Sequence, residues 1–128
     1  MRVRSLLLTL VLSLLVGKSL GVSFTLDGIT YVANADTAII KGYDAIPENG
    51  ELALASTVSY GGKDYRVTTV QNSAFLSCTE LKKLVVPSTI KYIREGAFEN
   101  CVNMTQLVLS EGEERLDAAG DALKNCGI

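Results

Sequence analysis

Three cysteines are the residues in this chain with the most chemistry to offer: Cys78, Cys101 and Cys126. A thiolate can attack an electrophile or hold a soft metal. Both uses normally need a helper, and the 128-residue chain contains no histidine. The usual general base, the usual metal ligand and the usual activator of a Ser or Cys nucleophile are therefore missing. A zinc site would have to draw three thiolates and a carboxylate from widely separated segments. Paired carboxylates can do acid–base work without histidine, but the 14 acidic residues are scattered through loops and form no repeated pair. Spacing suggests another role for the thiols. Cys78 closes "VQNSAFLSC" (Val70 to Cys78), and Cys101 closes "IREGAFENC" (Ile93 to Cys101). Each cysteine falls at the same place after Ala-Phe, as a repeated core slot would require. A free cysteine behaves there as a small hydrophobe. The reading is a buried thiol ladder, with no catalytic, metal-binding or cofactor-binding residue and no enzyme activity. Neighbouring thiols in stacked repeats would come within disulfide range, so the sequence leaves their pairing open.

The elements that position these residues follow from sliding the sequence against itself. The shift that lays Val70 on Ile93 also lays Ala74 on Ala97, Phe75 on Phe98 and Cys78 on Cys101. The same shift puts Leu81 on Met104, Leu84 on Leu107, Val85 on Val108 and Val86 on Leu109. Five of the eight pairs are identical and three are apolar exchanges, while the residues between them differ. Matching confined to apolar slots is the mark of stacked repeats, in which only inward residues share a size. A third copy starts at Leu116, which the same shift lays on Ile93. Its "DALKNC" (Asp121 to Cys126) matches "GAFENC" (Gly96 to Cys101) only after two further positions are allowed, and Leu123 replaces Phe. The two extra residues are placed around Ala118 to Gly120. Upstream, "LALASTV" (Leu52 to Val58) resembles "LVVPSTI" (Leu84 to Ile90) at a longer offset. An insertion carrying Gly61-Gly62, a two-residue hairpin signal, accounts for the difference.

Within a repeat, "LKKLVV" and "MTQLVL" read as short strands. Ala, Phe, Cys and Leu or Met at i, i+1, i+4 and i+7 predict a helical or 3₁₀ turn facing the core. Near the N-terminus, Asp27-Gly28 between alternating runs predicts a hairpin, "TAIIKGY" a strand and "DAIPENGE" (Asp44 to Glu51) a loop. The expected fold is an α/β leucine-rich repeat solenoid behind a small antiparallel β N-terminal cap. Each repeat of about 23 residues holds one strand and one short helical turn. The division is a signal peptide over 1–21, a β-rich cap with a degenerate first repeat and hairpin over 22–69, and two full repeats and a truncated one over 70–128.

The signal peptide rests on "MRVR", an apolar run of 12 residues from Leu6 to Gly17, and small residues at Ser19 and Gly21. Such a run is short of the ~20 residues that a span needs. The chain is thus expected to be secreted or at the cell surface, the periplasm included, with no stable membrane span after cleavage. Removing Arg2, Arg4 and Lys18 leaves 9 basic against 14 acidic residues, a net charge of −5. That sign opposes nucleic-acid binding. An apolar fraction of 48% against 20% charged predicts a buried core rather than disorder.

The run V-x-x-V-x-x-x-A-F-x-x-C-x-x-L-x-x-L-x-V-P-x-x-I-x-x-I-x-x-x-A-F-x-x-C, from Val67 to Cys101, resembles the BspA-type, or Treponema pallidum type, leucine-rich repeats. The lead-in "GITY" and "YGGKDYRVTTV" resembles the β-region before such repeats in bacterial members. The likeness spans about residues 24–126. It implies a right-handed solenoid and a surface or secreted protein that binds other proteins, in adhesion to host matrix or neighbouring cells. It implies no catalytic residue. The chain departs from the pattern in having few repeats, and in "LSEGEERL" (Leu109 to Leu116), which replaces the usual proline-bearing return.

Phe75 and Phe98 read as a core spine. Tyr43, Tyr60, Tyr65 and Tyr92 are the aromatic candidates for a partner surface. Glu111 to Arg115 reads as a solvated face, and Asn103-Met104-Thr105 fits a glycosylation sequon. The leading reading is protein–protein interaction. The alternative is a structural piece, or a fragment of a longer adhesin, that self-associates through an open C-terminal edge.

Overall fold

A computed structural model describes residues 21–112 and 116–128. The signal-peptide reading falls, except for Gly21, outside the described residues.

Tight turns set the N-terminal elements. Strand β1 (Val22–Leu26) pairs antiparallel with β2 (Ile29–Asn34), and Leu26 stands opposite Ile29. The two residues between, Asp27 and Gly28, both have positive φ (50° and 81°), the backbone that a two-residue hairpin needs. Strand β3 (Thr37–Tyr43) returns antiparallel along β2. After β4 (Glu51–Ala53), a second hairpin joins β5 (Thr57–Tyr60) to β6 (Lys63–Val70) through Gly61 and Gly62, again at positive φ.

From β3 onward the chain coils. Strands β7 (Lys83–Val86) and β9 (Gln106–Leu109) extend from β4 as a parallel three-stranded sheet. Strands β8 (Tyr92–Ile93) and β10 (Asp117–Ala118) extend the first sheet, whose order is β1-β2-β3-β6-β8-β10 with β5 set against β6. The registers follow the sequence offsets: Leu52 stands beside Leu84, and Leu84 beside Leu107. Strand β3, read as part of the antiparallel cap, also pairs in parallel with β6 and so opens the solenoid sheet. One alignment differs. Ile93 partners Ala118 rather than Leu116, and the Asp117 amide fixes that register by donating to the Lys91 carbonyl at 2.7 Å. The two extra residues therefore lie before Ala118, not around and after it.

The predicted helical turn does not form: there is no helix among the described residues. Between β6 and β7 the chain makes consecutive turns instead. The Ala74, Leu76 and Cys78 amides close onto the Gln71, Ser73 and Phe75 carbonyls at 3.1, 3.2 and 3.1 Å. The alternate amides, Ser73, Phe75 and Ser77, donate to Glu95, Ala97 and Glu99 of the next coil at 3.0, 2.7 and 2.8 Å. One coil on, Phe98 and Asn100 donate likewise to Ala122 and Lys124, both at 2.8 Å. A helix would use its amides within the segment and leave none to join the coils. Left-handed residues recur at the third position of alternate turns: Ser73, Ser77, Gly96, Asn100 and Asn125, with φ of 58–64°. They break a helix but allow this ladder.

Phe75, Phe98, Leu81, Leu84 and Met104 are fully buried. Burying side chains of this size stabilises the fold by about 2–3 kcal/mol each.

Candidate interaction surface

The residues with potential chemistry lie inside. Tyr43 stacks on Phe75 (5.3 Å, 10°), and Phe75 on Phe98 (4.9 Å, 5°). These separations match the ~4.8 Å between neighbouring strands, so one ring per coil keeps contact along the axis. The cysteines form a parallel column. Cys101 Sγ donates to the Phe75 carbonyl and Cys126 Sγ to the Phe98 carbonyl, each at 3.1 Å. All three thiols are free; Cys78 and Cys101 are buried and Cys126 partly so. Burial pushes the Cys101 thiol up to about 12 and raises that of Cys126. Such groups stay protonated at neutral pH and are poor nucleophiles. Tyr43 also titrates above its ordinary value, first through its hydrogen bond with the Cys78 side chain and then through burial. Among the described residues, no three His, Cys, Asp or Glu side chains are grouped to hold a metal ion.

The four candidate tyrosines separate. Tyr43 belongs to the spine. Tyr60 is 43% exposed and lies flat on Phe24, at 4.3 Å and 2°. Tyr65 is half-buried in the same cluster, with the Lys63 ammonium 5.5 Å from its ring. Only Tyr92, 39% exposed, stands on the outward face of the solenoid's strands. Strand alternation explains this: Ile93 points into the core, so Tyr92 before it and Arg94 after it point out.

That outward face can be followed by register. One row runs Ile39, Thr69, Tyr92, Asp117 across β3, β6, β8 and β10. Two residues further along the strands, the amides of Gln71, Arg94 and Ala119 donate to the Ile40, Val70 and Ile93 carbonyls at 2.9 Å each. This sets a second row: Lys41, Gln71, Arg94, Ala119. The Arg94 guanidinium lies 4.6 Å from the centre of the Tyr92 ring, a cation–π contact that orients both. At the β8–β10 edge, a groove of ≈ 570 Å³ is lined by Lys91, Tyr92, Leu116, Asp117 and Ala118. Sequence reasoning missed Lys41, Thr69 and Arg94 as a group, because they stand on three different coils and no motif links them.

The three-stranded sheet is different outside. Its register gives a row Ala53, Val85, Val108 beside a row Glu51, Lys83, Gln106. Side chains in the first of these rows are shorter, and Val108 at its end is 43% exposed. Asn103 is exposed, and its side-chain amide donates to the Thr79 carbonyl at 2.8 Å. Of the acidic run, Glu111 and Gly112 are exposed, and the rest lies outside the described residues.

Residues 62–127, just over half of the chain, match the family described as BspA type leucine rich repeat region (6 copies). The chain belongs to this family. Comparison with curated proteins gives no match. Solved structures share the fold. A leucine rich cell surface protein from Faecalibacterium prausnitzii aligns with a TM-score of 0.70 at 19% identity, over 81% of this chain and 28% of that one. A leucine rich repeat protein of T. pallidum aligns at 0.65 and 22%, over 81% and 46%. The pneumococcal vaccine antigen PcpA aligns at 0.67 and 16%, over 87% and 32%. The chain thus spans between about a quarter and a half of the length of these proteins. Among the described residues, no helix of the BspA-type chain is long and apolar enough to cross a membrane.

Proposed function

We propose that the chain is an exported, non-enzymatic protein-interaction module, displayed at the cell surface or secreted, with a role in adhesion to host matrix or to neighbouring cells. The partition into a leader over 1–21, a cap over 22–69 and repeats over 70–128 is part of this proposal. So is the reading that it takes no cofactor and no nucleic acid. One observation carries it. Inward positions repeat from coil to coil, as in Phe75 over Phe98 and Leu84 beside Leu107, while the outward row Ile39, Thr69, Tyr92, Asp117 does not repeat at all. A solenoid with a uniform interior and a varied strand face suits recognition of one partner surface. The leucine rich repeat family and the cell surface protein of F. prausnitzii support the same reading.

The test is binding of the purified chain to immobilised matrix and cell-surface proteins. Saturable binding to a partner, lost in Tyr92→Ala and kept in Tyr60→Ala, is expected. Binding indifferent to Tyr92, or a hydrolytic activity lost on one Asp or Ser substitution, overturns the proposal.

A second reading is self-association through the outer edge of β9. Among the described residues that edge pairs with no strand, and Leu109 at the end of β9 is 53% exposed. Light scattering on the eluting protein decides: a concentration-dependent rise in mass favours this reading, and a constant monomer removes it.

A further inference from the structure

Two rows on the outward face of the seven-stranded sheet carry two cations against one acid, the sign opposite to that of the chain. The whole chain has a net charge of −2. Yet the second outward row presents Lys41 and Arg94 on either side of neutral Gln71, all three exposed. Among the described residues neither cation has a carboxylate in ion-pair contact. The neighbouring row supplies half-buried Ile39 and Thr69 and the ring of Tyr92. The one acid in these two rows, Asp117, stands beside Tyr92 on the edge strand and lines a pocket with Arg94 and Glu95, on the opposite side of the face from Lys41.

We infer that this face recognises an acidic polypeptide segment, with Lys41 and Arg94 taking its carboxylates and Ile39, Thr69 and Tyr92 packing its neutral side chains. The inference rests on the protein-binding reading above. Three arguments fix the class of partner. Lys41 and Arg94 stand on strands two places apart, about 10 Å at the backbone, which suits acids distributed along a chain. The guanidinium of Arg94 lies against the Tyr92 ring, which limits its freedom before a carboxylate binds. Two cations set apart by neutral Gln71 release few counterions, which suits sparse acids rather than a densely charged polymer. A polypeptide with interspersed acids fits this pattern better than a sulfated or phosphorylated chain does.

The experiment titrates the full chain into a labelled peptide with glutamate at every third position among Ser and Gly, its glutamine counterpart and a heparin oligosaccharide, at low and high salt. The glutamate peptide is expected to bind, the glutamine peptide not, and salt to weaken the complex. Lys41→Glu and Arg94→Glu should each weaken it by roughly tenfold, and the neutral Lys41→Gln and Arg94→Gln by less. Both side chains are exposed, and unchanged circular dichroism spectra would establish that the variants fold. Binding of the glutamate peptide indifferent to both reversals overturns the inference. Heparin binding more tightly than the glutamate peptide through the same two residues also overturns it and assigns the face to sulfated polymers. If the glutamate peptide fails while Tyr92→Ala still abolishes binding of a matrix or surface protein, the acidic preference falls and the protein-binding reading stands.

Discussion

The first hairpin and the turn ladder are both built from tight turns with left-handed residues, yet they are held in different ways. In the hairpin, β1 and β2 pair with each other across Asp27-Gly28, and the contacts are local in sequence. In the ladder, alternate amides leave the segment and reach carbonyls of the next coil, as Phe75 reaches Ala97. The hairpin can form from its own residues, though a lone hairpin is marginal. A rung of the ladder is incomplete without the next coil. The difference implies that damage to the hairpin should stay local, whereas damage to the ladder should spread along the axis.

The largest break in that comparison should come from the spine. Phe98→Ala removes a fully buried ring stacked on Phe75, and should cost about 4 kcal/mol in urea unfolding. Tyr60→Ala, on the hairpin side and half-exposed, should cost about 1 kcal/mol. Similar losses at the two sites would mean that the ring column does not hold the coils together.

The next effect separates two hairpins of the same chemistry. Gly28 and Gly62 have φ of 81° and 80°, but a Cβ at Gly28 would lie 2.5 Å from the Ala45 carbonyl oxygen, and at Gly62 it would meet nothing. Gly28→Ala should cost about 3 kcal/mol and Gly62→Ala about 1 kcal/mol, the latter from the backbone alone. Equal costs in urea melts would show that the packing of Gly28 under the Asp44–Ala45 turn is unimportant.

A third effect belongs to the ladder side. The folded Cys101 thiol titrates at about 12 against an ordinary 9.0. Below pH 9 it is protonated whether folded or not, and its contribution to stability is fully present. Between about 9 and 12 the unfolded chain ionises first, so that contribution is lost as pH rises, at up to about 1.4 kcal/mol per pH unit. Cys101→Ala should flatten the alkaline decline in stability, measured by urea melts across that window. An unchanged slope would show that Cys101 is not the titrating group.

The smallest effect lies at the β2–β3 turn. Ala35 has φ of 49°, a conformation in which Gly has no Cβ to strain. Ala35→Gly should raise stability by roughly 0.5 kcal/mol, the relief of strain being partly offset by the freedom Gly gains in the unfolded chain. A lower melting temperature for this variant would show that the turn carries no strain.

Much of the coil was legible because stacking restricts residue size. Leu52, Leu84 and Leu107 match in sequence because each fills the same inward slot of its coil, and the registers place them side by side. The Asp27-Gly28 and Gly61-Gly62 hairpins were legible because positive φ at two adjacent positions favours few residue types. The outward surface was not legible. Ile39, Thr69 and Tyr92 face solvent, so nothing holds them to a common type, and only strand register reveals that they are neighbours.

The sequence by itself determined the period, the inward slots and the places where the chain must turn, because these depend on local backbone preference and side-chain size. The tertiary structure decided three further things. It made the Ala-Phe-x-x-Cys segment a turn ladder instead of a helix, because alternate amides find their acceptors in the next coil. It put Tyr43 on the phenylalanine spine, because β3 pairs with β6 as well as with β2. It brought Lys41 and Arg94 onto one face, because parallel strands in register join residues that the sequence keeps far apart.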